Sequence, residues 1–177
     1  CHERDILRMA ADESGINETM FGEIDEKLQS GLLVGISKKI YTLGELIPPS
    51  SPEFTSPQNL FNYQAKVIRD LADQGPRVFI GRCADFVLKD KPNVVSVFVH
   101  APEDYCLEMA RERTAKSVGD LAKFIAKTDK FRGDYYRYHT GREWNDARNY
   151  DLCLDSSKLG FEGVVEAIEA YINVRFK

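Results

Sequence analysis

Gly81-Arg82-Cys83-Ala84-Asp85 is the stretch whose residue types and setting point most directly to chemistry. It closes a short apolar run, Arg77-Val-Phe-Ile-Gly81, which has the look of a buried parallel strand ending in a loop. In open α/β sheets ligands bind beyond the carboxyl ends of the strands, so Arg82 would project into a crevice. An arginine there can grip a phosphate with a planar, two-pronged fork that lysine cannot reproduce. The competing reading pairs Arg82 with a nearby carboxylate such as Asp85 and makes it a tether for the loop.

A second group is the run of cations Arg111, Arg113, Lys116, Lys123, Lys127, Lys130, Arg132, Arg137 and Arg142. Phosphoryl transfer spreads negative charge over the migrating group and needs several positioned cations, often on a segment that closes over the site. A solvated helix face has the same composition. Arg132 stands apart, because Asp129 lies three residues before it and the two would share a helix face as one oriented unit. The stretch from Arg132 to Trp144 interleaves aromatic and basic residues, a pattern that can stack on single-stranded bases. The acidity of the chain, and the lack of aromatics on a strand, favour a structural cluster instead. His2, His100 and His139 show no metal-ligand spacing with one another or with the cysteines and are read as non-catalytic, and no metal-ligand set is expected.

The elements that must position these residues belong to about one domain's worth of chain, 177 residues. A hydrophobic content of 43% excludes wholesale disorder. Lys plus Arg total 24 against 28 Asp plus Glu, a net charge of −4, which excludes a protein living on bulk attraction to nucleic acid or anionic membrane. Neither a membrane span nor a signal peptide is read, so the expectation is a soluble, cytoplasmic protein. The four cysteines are widely spaced and expected to be reduced thiols. The sequence opens with Cys1-His2 in place of Met, so residues upstream are expected.

Helical spacing of Ile6, Leu7, Met9 and Ala10 predicts a short amphipathic helix that stops at Gly15, followed over 18–47 by helical pieces joined at glycine hinges. The prolines between Pro48 and Pro57 predict a mobile or functional loop. A helix over 59–73 leads to the strand at 77–81. A second strand is expected at 94–100, a helix from Pro102 towards Arg113, another over 118–138, a last strand at 150–154 and a closing helix over 160–172. Strands alternating with helices imply an α/β layer fold with a parallel sheet covered on both faces.

With these pieces in order the sequence resembles the cytidylate kinase-like family, a branch of the nucleoside monophosphate kinases. The residues that carry the likeness are Glu3 to Ala11, the helix of Gln64 and Ile68 leading into Val78 to Asp85, Val97 to Pro102, Asp129 to Arg132 with Tyr135 and Tyr136, and Asn149 to Ser157. The resemblance implies a three-layer P-loop kinase fold over residues 1–177, with a parallel sheet flanked by helices and a helical lid within 111–132. It also implies transfer of the γ-phosphoryl of ATP, with Mg²⁺, to a nucleoside monophosphate or similar small phosphate acceptor, with no nucleic-acid or membrane partner. On that basis Arg82, Asp85 and Arg8 would bind the acceptor, Arg111, Arg113, Asp129 and Arg132 would act from the lid, and Asp155, Ser156 and Ser157 would lie near the donor's adenine. Two departures stand out. Cys83 replaces the acidic residue that follows the Gly-Arg pair in cytidylate kinases, and no Gly-x-x-x-x-Gly-Lys-Ser/Thr loop occurs in the chain. The loop and its strand are therefore expected upstream of Cys1. The alternative is a nucleotide-binding relative that has lost phosphoryl transfer and serves as a binding or structural module.

Overall fold

A computed structural model describes residues 3–29, 45–114 and 117–177. The hinged pieces expected over 30–44, and Lys116, lie outside the described residues. The chain divides into two compact units, one formed by Cys1–Pro92 with Asp134–Arg142, the other by Asn93–Gly133 with Glu143–Lys177.

The first unit is helical. Helix α1 (Glu3–Ser14) buries Ile6, Leu7 and Ala10. It ends where Gly15 takes a positive φ of 71° and donates its N–H to the Ala11 carbonyl at 2.9 Å. Helix α2 (Glu18–Gln29) follows, with the Asn17 side chain accepting from the Thr19 N–H at 3.0 Å. Helix α3 (Pro57–Asp73) is the centre of this unit: the Ser56 hydroxyl accepts from the Asn59 N–H at 3.3 Å, and Pro57, which has no N–H to satisfy, occupies the first turn. Its buried residues include Leu60, Phe61, Val67, Ile68 and Leu71. The proline-rich loop is anchored from below. Asn59, fully buried, donates to the carbonyls of Phe54 (2.7 Å) and Ile47 (3.2 Å) and accepts from the Ile47 N–H (2.8 Å). These bonds make the loop a turn fastened to α3. A four-residue helix, α4 (Ala84–Val87), was not anticipated from the sequence.

The buried strand expected at 77–81 is not found. That segment has no regular structure, and Val78 and Ile80 are 76% and 54% exposed. A strand is buried by its neighbours in a sheet, and among the described residues no strand pairs with this segment.

The second unit holds a parallel pair, β1 (Val97–His100) and β2 (Leu152–Asp155), in a register that opposes Val97 to Leu152 and His100 to Asp155. Asp151, just before β2, accepts from the N–H and hydroxyl of Ser96 at 2.8 and 3.0 Å and pairs with Arg175 at 2.8 Å. Helix α5 (Glu103–Arg111) follows Pro102, which sits one residue outside the helix, and α6 (Val118–Thr140) supplies residues to both units. The closing helix α7 (Ser156–Arg175) starts earlier than the sequence suggests because Asp155 caps it; Gly160, at φ 67° and ψ 174°, breaks it one turn in. The element order is mixed α/β with parallel strands, but the described residues contain two paired strands where three were expected. No described helix is long and apolar enough to cross a membrane.

Candidate functional site

The chemistry-bearing residues of the first unit gather where α3, α4 and the end of α6 meet the 81–83 turn. Gly81, Arg82 and Cys83 have φ values of 73°, 55° and 55°. Left-handed backbone costs a side-chain-bearing residue about 1–2 kcal/mol, so Arg82 and Cys83 hold this shape only because their surroundings impose it. Two bonds contribute: Ala84 N–H to the Gly81 carbonyl at 3.2 Å, and Val87 N–H to the Cys83 carbonyl at 2.9 Å. Burial contributes the rest, since Arg82 is only 6% exposed and Cys83 is buried with it.

The Arg82 guanidinium lies over the ring of Tyr135, 4.9 Å from its centroid. The Tyr135 hydroxyl donates to the Gln64 side-chain carbonyl at 3.2 Å, and the Gln64 amide donates to the Leu60 carbonyl at 3.4 Å. Behind them His139 stacks on Phe61 at 4.1 Å and 14°, and its ring centroid is 4.5 Å from that of Tyr135. Burial, with the nearby Arg82 charge adding to it, lowers the His139 pKa to about 3. This histidine is a neutral ring at ordinary pH, so it does not add a second cation beside Arg82.

Asp85 sits one helical turn on. The Tyr136 hydroxyl donates to its carboxylate at 2.6 Å. Burial raises the Asp85 carboxyl above the usual carboxylate range, while the Tyr136 hydrogen bond and the Arg142 charge act to lower it. Arg142 lies over the Phe86 ring at 5.2 Å. Cys83 is no nucleophile here: burial, reinforced by Asp85 against the opposing Arg82, holds its thiol well above the usual range. The arrangement therefore presents a cation already stripped of most of its water and, three residues further along the chain, a carboxyl tuned by a phenol. Such a cation attracts a dianionic phosphate more strongly than a solvated one.

Arg8 lies on the exposed side of α1, 4.0 Å from Asp5. In the second unit Arg132 and Asp129 form the expected pair, at 3.1 Å, with both side chains more than half exposed, and the Arg132 guanidinium is 6.0 Å from the Trp144 ring centroid. Arg111 ends α5, and Arg113 lies over the Phe161 ring at 5.5 Å. Asp155 caps α7, accepting from the N–H of Ser157 at 2.9 Å and its hydroxyl at 2.6 Å; the hydroxyl bond lowers its pKa. The Ser156 hydroxyl donates to the His100 carbonyl at 3.2 Å, which ties the β2–α7 junction to β1. The structure thus brings Asp129 together with Arg132 and Asp155 with Ser157, and sets Arg82 and Asp85 each within electrostatic reach of Cys83. Trp144, which ends the aromatic stretch, packs edge-on against Phe98 at 5.3 Å, and Phe98 stacks on Tyr150 at 5.1 Å. No group of three or more His, Cys, Asp or Glu among the described residues could hold a metal ion.

Sequence reasoning missed the frame around Arg82: Gln64, Tyr135, Tyr136 and His139. One signal was available. Tyr135 and His139 are four apart on one helix, as are Tyr136 and Thr140, whose hydroxyl donates back to the Tyr136 carbonyl at 2.6 Å.

A family model described as cytidylate kinase-like matches residues 1–158. A crystal structure of an uncharacterized protein from Eubacterium ventriosum ATCC 27560 is similar, at 28% identity and a TM-score of 0.63, over 67% of this chain and 74% of that one. No curated protein matches this chain. The family match takes in the Gly-Arg turn, both strands and the cap of α7, and on that extent the chain belongs to the cytidylate kinase-like family.

Proposed function

We propose that the protein transfers the γ-phosphoryl group of ATP to a nucleoside monophosphate or a similar small phosphate acceptor. The observation that carries this reading is Arg82, a buried arginine held in left-handed backbone at the start of a turn. Family membership supports a nucleotide-kinase-like activity. In this account Arg82 takes the acceptor's phosphate with its fork, and Asp85, oriented by Tyr136, shapes the same subsite with Arg8 further along the unit. Arg111, Arg113, Asp129 and Arg132 supply the charged residues of a lid within 111–132, and the Asp155–Ser157 turn serves the donor's adenine. Mg²⁺ would come in on the nucleotide phosphates, since such sites use one or two carboxylates plus phosphate oxygens in place of a protein cage.

The three-layer P-loop sheet and a cytoplasmic location are part of the same proposal. Exposed Val78 and Ile80, and a parallel sheet of two strands, are features that further strands would cover. The test is ADP release, measured by a coupled assay across CMP, dCMP, UMP, AMP and other small acceptors. It uses the chain expressed with whatever its gene encodes upstream of Cys1. Turnover with at least one acceptor is expected. Folded protein that binds nucleotide but turns over none of them would make the chain a binding module instead.

A further inference from the structure

We propose that Tyr135 is a positioning residue for Arg82, its ring forming the plate that fixes the guanidinium and its hydroxyl locked to α3 through Gln64. This rests on the reading of Arg82 as the phosphate-holding group and goes beyond it, because it names what sets the pose of that group. Three observations converge. The Arg82 guanidinium lies over the Tyr135 ring at 4.9 Å. Rotation of that ring is opposed at its far end by the bond from the Tyr135 hydroxyl to Gln64, which is itself buried and bonded to the Leu60 carbonyl. The ring is also backed by His139, which is stacked in turn on Phe61, so the plate cannot tilt without opening the most deeply buried part of the unit.

An arginine side chain has several rotatable bonds, and fixing one on binding costs free energy that a preset pose does not. A plate that holds the guanidinium before the phosphate arrives therefore raises affinity without touching the ligand. The stacking supplies attraction through the ring face, which phenylalanine and tryptophan share and leucine lacks. The hydroxyl supplies orientation, which phenylalanine lacks. The variants of Tyr135 thus separate the two parts.

The experiment follows the Arg82 Nε–Hε resonance by NMR in the whole chain and titrates it with inorganic phosphate and with CMP as probes. In the wild type the signal should be shifted by the ring beneath it and should move on titration. Tyr135→Leu should return it to the free-arginine position and weaken probe binding about tenfold. Tyr135→Phe and Gln64→Leu should keep the ring shift and weaken binding by about threefold or less. A wild-type resonance at the free-arginine position, or an unchanged one in folded Tyr135→Leu, overturns the proposal. If Tyr135→Leu does not fold, Tyr135→Trp and Tyr135→Phe decide it: loss of the shift in both contradicts the plate. Failure of the underlying reading looks different. In that case Arg82→Lys and wild type bind phosphate and CMP equally, or neither binds, while the ring shift of Arg82 persists.

Discussion

The two units treat their charged residues in opposite ways. In the first, Ile6, Phe21, Leu60, Phe61 and Ile68 are at most 1% exposed, and Arg82 and Asp85 are set into the edge of that core. In the second, Leu121 and Val164 are the buried apolar side chains among the described residues, whereas Val99, Phe161, Val165, Ile172 and Val174 are at least 40% exposed. Its Asp129–Arg132 pair stands in solvent. The contrast separates an arginine held by buried neighbours from an ion pair held at the surface. It also says where mutations will be felt.

The largest effect should come from emptying the first core. Phe61→Ala removes a ring that is 1% exposed and should cost about 3–5 kcal/mol in denaturant titration. Val165→Ala, at 54% exposure in the second unit, should change stability by no more than about 0.5 kcal/mol. Equal losses would erase the comparison.

Acid should come next. The His139 pKa is about 3 in the folded chain against an ordinary value near 6.5. Between those values the unfolded chain binds the proton and the folded chain does not. Stability should therefore fall as pH drops below about 6.5, by up to about 1.4 kcal/mol per unit. The opposing charge at this site is that of Arg82, and His139→Phe should flatten the slope. Asp85 works in the other direction: its raised pKa keeps a proton on the folded form longer, so its contribution declines as pH rises through its titration. A profile of stability from pH 4 to 7 that is unchanged by His139→Phe would show that this ring is not the acid-sensitive group.

Cutting the anchor of the proline-rich loop should be milder. Asn59→Ala strands the Ile47 and Phe54 carbonyls and should cost about 1–3 kcal/mol, with faster hydrogen exchange at the Ile47 N–H. Among the polar groups the mildest change should be Asp129→Ala, since an exposed pair is worth about 0.2–1 kcal/mol. Thermal unfolding checks it, and a loss as large as that of Phe61→Ala would mean the pair is not a surface feature.

Much of the helical frame was legible because its signals are local. Ser56-Pro57 before an apolar run announces the start of α3, and Gly15 announces the end of α1. Asp129 with Arg132 was legible as a pair, since it depends on residues close in sequence. The strand at 77–81 was misjudged because an apolar run is only as buried as the partners beside it. The left-handed backbone at Arg82 and Cys83 could not be read, as neither residue type favours it. The frame of Gln64 and Tyr135 lay hidden for another reason: they are 71 residues apart, and nothing local says which helices meet. Asp155 and the two serines in the structure cap α7 and tie it to β1.

In the proposed reaction Arg82 acts on phosphate through its fork and not merely through its charge. Arg82→Lys keeps the charge and removes the fork. Steady-state kinetics of the variant, with the best acceptor and with folding verified by its melting temperature, should show kcat/KM lowered by about 10²–10³. A folded Arg82→Lys protein whose kcat/KM stays within a factor of about three of wild type would contradict the account.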